Sequence, residues 1–299
     1  MRRALGAAAL LVCLLAAAAP GAAAAPIGAL QHVQVGDVTV GYREGGSGSG
    51  PPLVLIMGFA GTMYEWDPAL LERLADERRV IVFDNRGVAT TSGPTAGLTI
   101  QTMADDTAGL IEALGLGQVD VLGWSMGGYV AQELTLRYPQ LVNRLVLSAT
   151  DPGSPRAVQP SAAVIALLES AQRGDLIEAI FPQTRPGKAA ARAYLARVGA
   201  QPGLEESWFE ISPATVRAQL EAELAWNRPG AGSYASLGQI AQPTLVIDGT
   251  LDRVEPPANS RLLAQRIPSS LLRLYAAGGH AFMYQYPALV AKNVGAFLG

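Results

Sequence analysis

Apolar and polar positions along this chain repeat in two rhythms that alternate. A short, continuously apolar run at Leu53 to Met57 and largely apolar runs at Val80 to Phe83, Val119 to Leu122 and Leu141 to Ser148 read as buried parallel strands. Between them, Pro68 to Ala75, Ile100 to Leu114 and Tyr129 to Tyr138 space their apolar residues three and four apart, as helices do. Before the first run, His32 to Tyr42 alternates apolar and polar positions around Gly36-Asp37 and predicts a β-hairpin. The rhythm stops at Asp151. From there to Gly238 the pattern is helical only, at Ala162 to Gln172, Lys188 to Val198 and Ala214 to Trp226. It resumes with a strand at Thr244 to Asp248, a helix at Ser260 to Ile267, a strand at Leu271 to Tyr275 and a closing helix at Pro287 to Phe297.

Strand–helix units of this kind imply a mostly parallel sheet with helices on both faces. Residues 151–238 then form a helical cap insertion within a core made of residues 26–150 and 239–299. The cap would lie over the carboxyl edge of the sheet, where open α/β sheets bind ligands. It carries Phe181, Tyr194, Trp208, Phe209, Trp226 and Tyr234.

The first 25 residues follow a different logic. Arg2-Arg3 precede an apolar stretch with a Leu-rich centre, Pro20-Gly21 breaks it, and Ala22-Ala23-Ala24 offers a cleavage site. This is the pattern of a secretory signal peptide and predicts a secreted or cell-envelope protein without stable membrane association after cleavage. The paired arginines suggest the export route for folded proteins, though the residues after them match it poorly. Val12 before Cys13 is too large for a lipid-anchor site. Cleavage removes Cys13, the chain's single cysteine, and with it thiol catalysis. A net charge of -3 gives no reason to expect a nucleic-acid partner.

The chemistry centres on Gly123-Trp124-Ser125-Met126-Gly127, set between a predicted strand and a predicted helix. A serine on so sharp a turn takes strained backbone angles, and the crowding of strand and helix demands small residues two before and two after it. The turn lifts the hydroxyl above the strand end, beside the free N–H groups that open the helix. A serine needs a base. Of the two histidines, His32 sits in the hairpin, whereas His280 follows the last strand in a glycine-bearing loop. His280 is therefore the candidate base. Asp252, just after the seventh strand-like run, is the candidate acid that orients it, with Asp151, Asp248 and Glu255 as alternates. Oxyanion stabilisation needs two fixed donors, one of which is the Met126 N–H.

Taken together, Gly58-Phe59, Asp84-Asn85-Arg86-Gly87, Gly123-Trp124-Ser125-Met126-Gly127-Gly128, Gly249-Thr250-Leu251-Asp252 and Gly279-His280 resemble the motifs of the α/β-hydrolase superfamily, in its cap-bearing esterase, lactonase and perhydrolase-like branch. The likeness runs from Pro52 to the C-terminus. It implies the α/β-hydrolase fold, the order Ser…Asp…His, and a second oxyanion donor at the Phe59 N–H. Two departures stand out: Met57-Gly58 where the family often has His-Gly, and Ala89-Thr90 where it often has another glycine. Ser125 at the nucleophile position excludes the Asp-based dehalogenase and epoxide-hydrolase chemistries.

These readings point to hydrolysis of a small-molecule carboxylic ester, lactone or thioester, with no cofactor and no metal. Three further readings are weighed, one of them a cofactor-free perhydrolase or haloperoxidase-like enzyme, which the resemblance implies as an alternative on the same fold. A small-peptide hydrolase would need a cap acid to hold the substrate amine, and Glu205, Glu206, Glu210, Glu221 and Glu223 are the candidates. A binding protein that has lost activity would be expected to lack one of Ser125, Asp252 and His280.

Overall fold

The computed structural model describes residues 27–153, 156–169, 173–201 and 211–299. The expected signal segment, Glu205, Glu206, Trp208, Phe209 and Glu210 lie outside the described residues.

Eight strands form one sheet in the order β1-β2-β4-β3-β5-β6-β7-β8. Strands β1 (Gln31–Val35) and β2 (Val38–Gly45) make the expected hairpin, with Gly36 at a φ of +54° in the turn. This conformation carries little steric cost only for glycine. The hairpin pairs antiparallel with β4 (Val80–Phe83). The other pairings, through β3 (Leu53–Ile56), β5 (Val119–Trp124), β6 (Val142–Ser148), β7 (Thr244–Gly249) and β8 (Ser270–Tyr275), are parallel. Every residue of β3, β4, β5 and β7 is buried, which is why β3 and β4 read as continuous apolar runs and β5 and β7 as mostly apolar ones, without regular alternation.

The helices divide between the two faces. On one side α2 (Ile100–Ala113), α3 (Met126–Arg137) and α8 (Pro257–Arg266) enclose a core that includes Val54, Ile56, Val121, Leu134 and Val246. On the other, α1 (Pro68–Ala75) and α10 (Pro287–Leu298) cover Leu53, Leu55, Val82, Leu122 and Ile247. Strand neighbours thus send alternate side chains to opposite cores.

Between β6 and β7 stand four helices among the described residues: α4 (Ala162–Glu169), α5 (Arg173–Ile180), α6 (Arg185–Gly199) and α7 (Pro213–Trp226). Helix α5 and the short α9 (Phe282–Gln285) after β8 are additions to the sequence-based expectation. Both α6 and α7 start as polar caps dictate. Thr184 and Ser212 accept from the N–H groups of Gly187 and Thr215, with proline next in sequence to the α7 cap. Helix α6 is fastened to the core. Arg197 clamps both oxygens of fully buried Asp67 at 2.8 and 2.5 Å, and the Tyr194 hydroxyl donates to the Glu65 carbonyl at 3.0 Å.

The sheet order reverses direction between β3 and β5. From β3 the chain crosses outward to β4, then returns past β3 to β5 and continues outward through β6. Ile56 and Gly123 are paired across this junction, so the loops after β3 and β5 leave the sheet side by side. Such a switch point is where an open α/β sheet presents a crevice to a ligand.

Candidate active site

Ser125 occupies the turn between β5 and α3 with φ +57° and ψ −127°. A non-glycine residue with positive φ is strained, and it persists only where its surroundings hold it. The surroundings here are close-packed. A Cβ on Gly123 would stand 2.3 Å from the Gly127 carbonyl oxygen, and one on Gly128 would meet the Thr150 side chain at 2.5 Å. Strand and helix touch at Gly123 and Gly127, as the G-x-S-x-G spacing demands. The Ser125 N–H donates to the Ser148 carbonyl on β6 at 3.0 Å, and its carbonyl accepts from Thr150 Oγ1 at 2.9 Å. Both sides of the turn are therefore tied to the neighbouring strand.

The loop after β3 meets this serine from the other side. A Cβ on Gly58 would lie 3.1 Å from Ser125 Cβ and 3.6 Å from its Oγ, so the Gly58 backbone borders the hydroxyl directly. Phe59 follows at once. The Met126 N–H opens α3, where an N–H has no intrahelical partner. Of the two expected oxyanion donors, Met126 thus follows Ser125 in the chain and Phe59 follows the glycine that borders its hydroxyl.

The Asp84-Asn85-Arg86-Gly87 motif supports this loop from below. Asn85 Nδ2 donates to the Met57 carbonyl at 3.1 Å, and Asp84 Oδ1 accepts from the Met63 N–H at 2.7 Å. Arg86 makes a paired contact with Asp106 at 2.8 and 2.6 Å, fixing the motif to α2. Thr90, one of the departures noted in the sequence, donates its hydroxyl to Asp84 Oδ2 at 2.6 Å. The departure is therefore a hydrogen-bond partner for a buried acid. Burial pushes the Asp84 carboxyl up to about 6, against the pull of those donors.

His280 and Asp252 come together at the carboxyl ends of β7 and β8. His280 Nδ1 lies 2.8 Å from Asp252 Oδ2, and both residues are buried. The other oxygen of Asp252 accepts from the N–H groups of Val254 and Glu255 at 2.8 and 2.9 Å. The carboxylate is thus fully engaged and can turn only with its whole loop. His280 is tied to the residue that precedes the serine: the indole N–H of Trp124 donates to the His280 carbonyl at 3.2 Å, and the two rings stand 5.2 Å apart. His32 is exposed on the edge strand β1 and takes no part.

The alternate acids are placed apart from the imidazole. Asp248 is fully buried and accepts from Ser260 Oγ at 2.7 Å and from the Gly249 N–H at 2.7 Å; burial, and then the charge of Asp252, push its carboxyl well above the usual carboxylate range. Asp151 and Glu255 share the Tyr129 hydroxyl, which donates to both. Burial raises the affinity of all three groups for their protons. Asn259 Nδ2 donates to Glu255 Oε2 at 3.1 Å, and Gln132 Nε2 to the Asp151 carbonyl at 2.9 Å. Sequence reading missed this network. Its members lie far apart in the chain, and only the polar spacing of Tyr129 and Gln132 on the apolar helix α3 hints at it.

Among the cap acids, Glu221 is exposed. Burial, and then the Asp151 charge, push the Glu223 carboxyl up to about 8, so it carries its proton at neutral pH. Of the cap aromatics, Phe181, Tyr194 and Trp226 are buried. Trp226 stacks on Tyr129 with ring centres 5.3 Å apart, and Tyr194 on Tyr284 at 4.7 Å. They hold the cap helices to the core. Among the described residues, no group of three or more His, Cys, Asp or Glu is arranged to hold a metal ion, and no helix is long and apolar enough to cross a membrane.

The model of the alpha/beta hydrolase fold family matches residues 51–287. The chain belongs to this family. Among its relatives is the Mycobacterium tuberculosis protein BpoC, named as a provisional non-heme bromoperoxidase. It is 33% identical over 254 residues, which cover 82% of this chain and 92% of BpoC. The poly(3-hydroxyalkanoate) depolymerase of Ectopseudomonas oleovorans is 32% identical over 263 residues, 83% of this chain and 84% of that enzyme. Among solved structures, an alpha/beta hydrolase fold protein from Chitinophaga pinensis superposes with a TM-score of 0.78 at 27% identity, covering 90% of this chain and 96% of that one. As a member of the alpha/beta hydrolase family, with hydrolases among its relatives, the chain is a hydrolase.

Proposed function

We propose that this protein is a secreted serine hydrolase of carboxylic esters. Ser125 attacks the ester carbonyl, and His280 takes the hydroxyl proton and returns it to the departing alcohol. Water then enters by the same route and releases the acid. Asp252 holds His280 in the tautomer whose free nitrogen faces the serine, and stabilises the imidazolium that forms. The N–H groups of Phe59 and Met126 stabilise the oxyanion. The observation that carries this reading is the buried 2.8 Å contact between His280 and Asp252, joined through Trp124 to the strained turn of Ser125.

Relatives support the ester as the bond attacked, since a poly(3-hydroxyalkanoate) is a chain of ester links. Glu223, whose carboxyl burial pushes up to about 8, gives the aminoacyl alternative no support, and Glu205, Glu206 and Glu210 lie outside the described residues. The likeness to BpoC favours a second reading, in which hydrogen peroxide replaces water as the acyl acceptor and a peracid leaves.

The test is labelling by a fluorophosphonate together with turnover of 4-nitrophenyl acetate, butyrate and octanoate. Ser125→Ala should remove labelling and lower turnover by roughly 10⁴-fold while leaving the circular dichroism spectrum unchanged. Near-normal turnover by that variant would refute the assignment. Peracid yield at millimolar peroxide, compared with acid yield, decides between the two acceptors. Secretion is tested by N-terminal sequencing of the exported protein, which should begin near residue 26.

A further inference from the structure

Helix α7 crosses the switch point with one face down. Thr215 Oγ1 donates to the Gly87 carbonyl at 3.0 Å, Gln219 lies over the loop after β3, and Trp226 stacks on Tyr129 of α3. These positions, with Ala218 and Ala222, recur at helical spacing and are buried. Gln219 is the polar residue on this face whose amide reaches the oxyanion loop, and it is fully buried.

Its two ends have different fates. Gln219 Oε1 accepts the Ala60 N–H at 2.8 Å. Ala60 follows Phe59, has a φ of +48°, and sits in the turn closed by the Gly61 N–H to the Gly58 carbonyl at 3.3 Å. The amide therefore clasps a strained loop one residue from an oxyanion donor. An N–H needs an acceptor, so this contact also fixes which way the amide faces: oxygen to Ala60, nitrogen away. That nitrogen, with two N–H groups, is buried and has no hydrogen-bond partner among the described residues. Leaving a buried donor unmatched is unfavourable and uncommon. A turn-clasping role needs only the oxygen and does not explain the nitrogen.

We propose that Gln219 is a specificity-determining residue whose Nε2 donates to a second oxygen on the substrate, close to the scissile carbonyl. The substrate class is an ester with an ether, hydroxyl or carbonyl oxygen near the reacting carbon, on its acyl or its alcohol side. This rests on Ser125 being the nucleophile. The site's own logic predicts the selectivity. An ester lacking that oxygen leaves the buried donor unpaired, and sites built to hydrogen-bond a substrate oxygen discriminate against analogues without it.

The experiment compares isosteric pairs that differ by one oxygen for one methylene. They are 4-nitrophenyl methoxyacetate against 4-nitrophenyl butyrate, and 2-methoxyethyl butyrate against butyl butyrate. For each pair the ratio of kcat/KM is divided by the ratio of hydroxide-catalysed rates, which removes intrinsic reactivity. The wild-type enzyme should favour the oxygen-bearing member of at least one pair by about 5- to 50-fold, and Gln219→Met should bring that ratio to near 1. Loosening of the oxyanion loop in the variant lowers both members alike and cancels in the ratio. No preference in either pair, or a preference that survives in Gln219→Met, overturns the proposal. If the variant does not fold, the wild-type ratios decide alone. Wild-type protein that takes the fluorophosphonate but shows no preference fails this inference only. Protein that neither labels nor hydrolyses any ester fails the nucleophile assignment and this inference together.

Discussion

Gly127 and Ile56 are in backbone contact: a Cβ on Gly127 would stand 2.1 Å from the Ile56 carbonyl oxygen and 2.8 Å from that of Met57. The contact sets the distance between the nucleophile turn and the oxyanion loop. Gly127→Ala must push α3 away from β3, and overpacking against backbone cannot be relieved by a rotamer change. We expect a loss of about 3 kcal/mol by denaturant titration, with residual activity reduced far more than the folded fraction accounts for. Wild-type stability in this variant would mean that the two loops are not in fixed register.

Asp252→Asn and Asp151→Asn separate the proposed orienting acid from one of its alternates. The asparagine at residue 252 cannot hold the imidazole in the required tautomer, so kcat should fall by roughly 10³- to 10⁴-fold with the fold retained. Asp151 binds the Gly153 N–H at 2.5 Å and the Tyr129 hydroxyl at 3.2 Å, and does not touch His280. Its substitution should cost stability and less than about 10-fold in kcat. The reverse ranking of the two kcat values would move the acid to Asp151.

Glu223 gives the stability of the protein a pH dependence of defined sign. Its folded-state value of about 8 lies above its ordinary 4.5, so folding favours the protonated form. That contribution is complete below about pH 4.5 and is lost as pH rises through 8. The side chain is half-buried by exposed area although atoms surround it closely, so solvent relieves part of the effect. We expect Glu223→Gln to be about 1 to 2 kcal/mol more stable relative to wild type at pH 9 than at pH 5, read as Tm across that range. Parallel Tm curves would place the carboxylate in water.

Trp226→Ala tests whether the cap aromatics select substrate. Trp226 is buried against Tyr129 and lies over the elbow helix. Its truncation should cost about 3 to 5 kcal/mol and lower kcat/KM on acetate and octanoate esters by the same factor. A loss confined to the octanoate ester would make it a pocket wall.

Much of this was legible in the chain. Strands β3, β4, β5 and β7 announce themselves because burial on both faces leaves no polar residue within Leu53–Ile56 or Val80–Phe83. Helix α1 begins and ends where Asp67, Pro68 and the apolar spacing say it should. Ser125, Asp252 and His280 stand out in the chain as candidates because each follows the end of a strand, β5, β7 and β8, within a short loop. What stayed hidden depends on packing between distant segments. The Asp151–Tyr129–Glu255 network joins three elements, and nothing local distinguishes its acids from solvated ones. Gln219 looks like an ordinary exposed helix residue until α7 is laid on the oxyanion loop. Helix α5, with a glycine and three charged residues in eight, carries too little periodicity to be read.

The hydrogen bond from Trp124 to the His280 carbonyl joins residues 156 positions apart in sequence. Its consequence concerns the order in which the molecule comes into being. A ribosome that has released β5 and α3 has already made the proposed nucleophile, but the imidazole of the proposed base emerges only after β8. Until β8 pairs with β7 and swings that loop over the elbow, every shorter nascent chain holds a serine with no base. Chemistry is thereby withheld until β8 and the loop that carries His280 have followed the elbow, and truncation at or before residue 279 should yield chains that are inert whatever else they have folded.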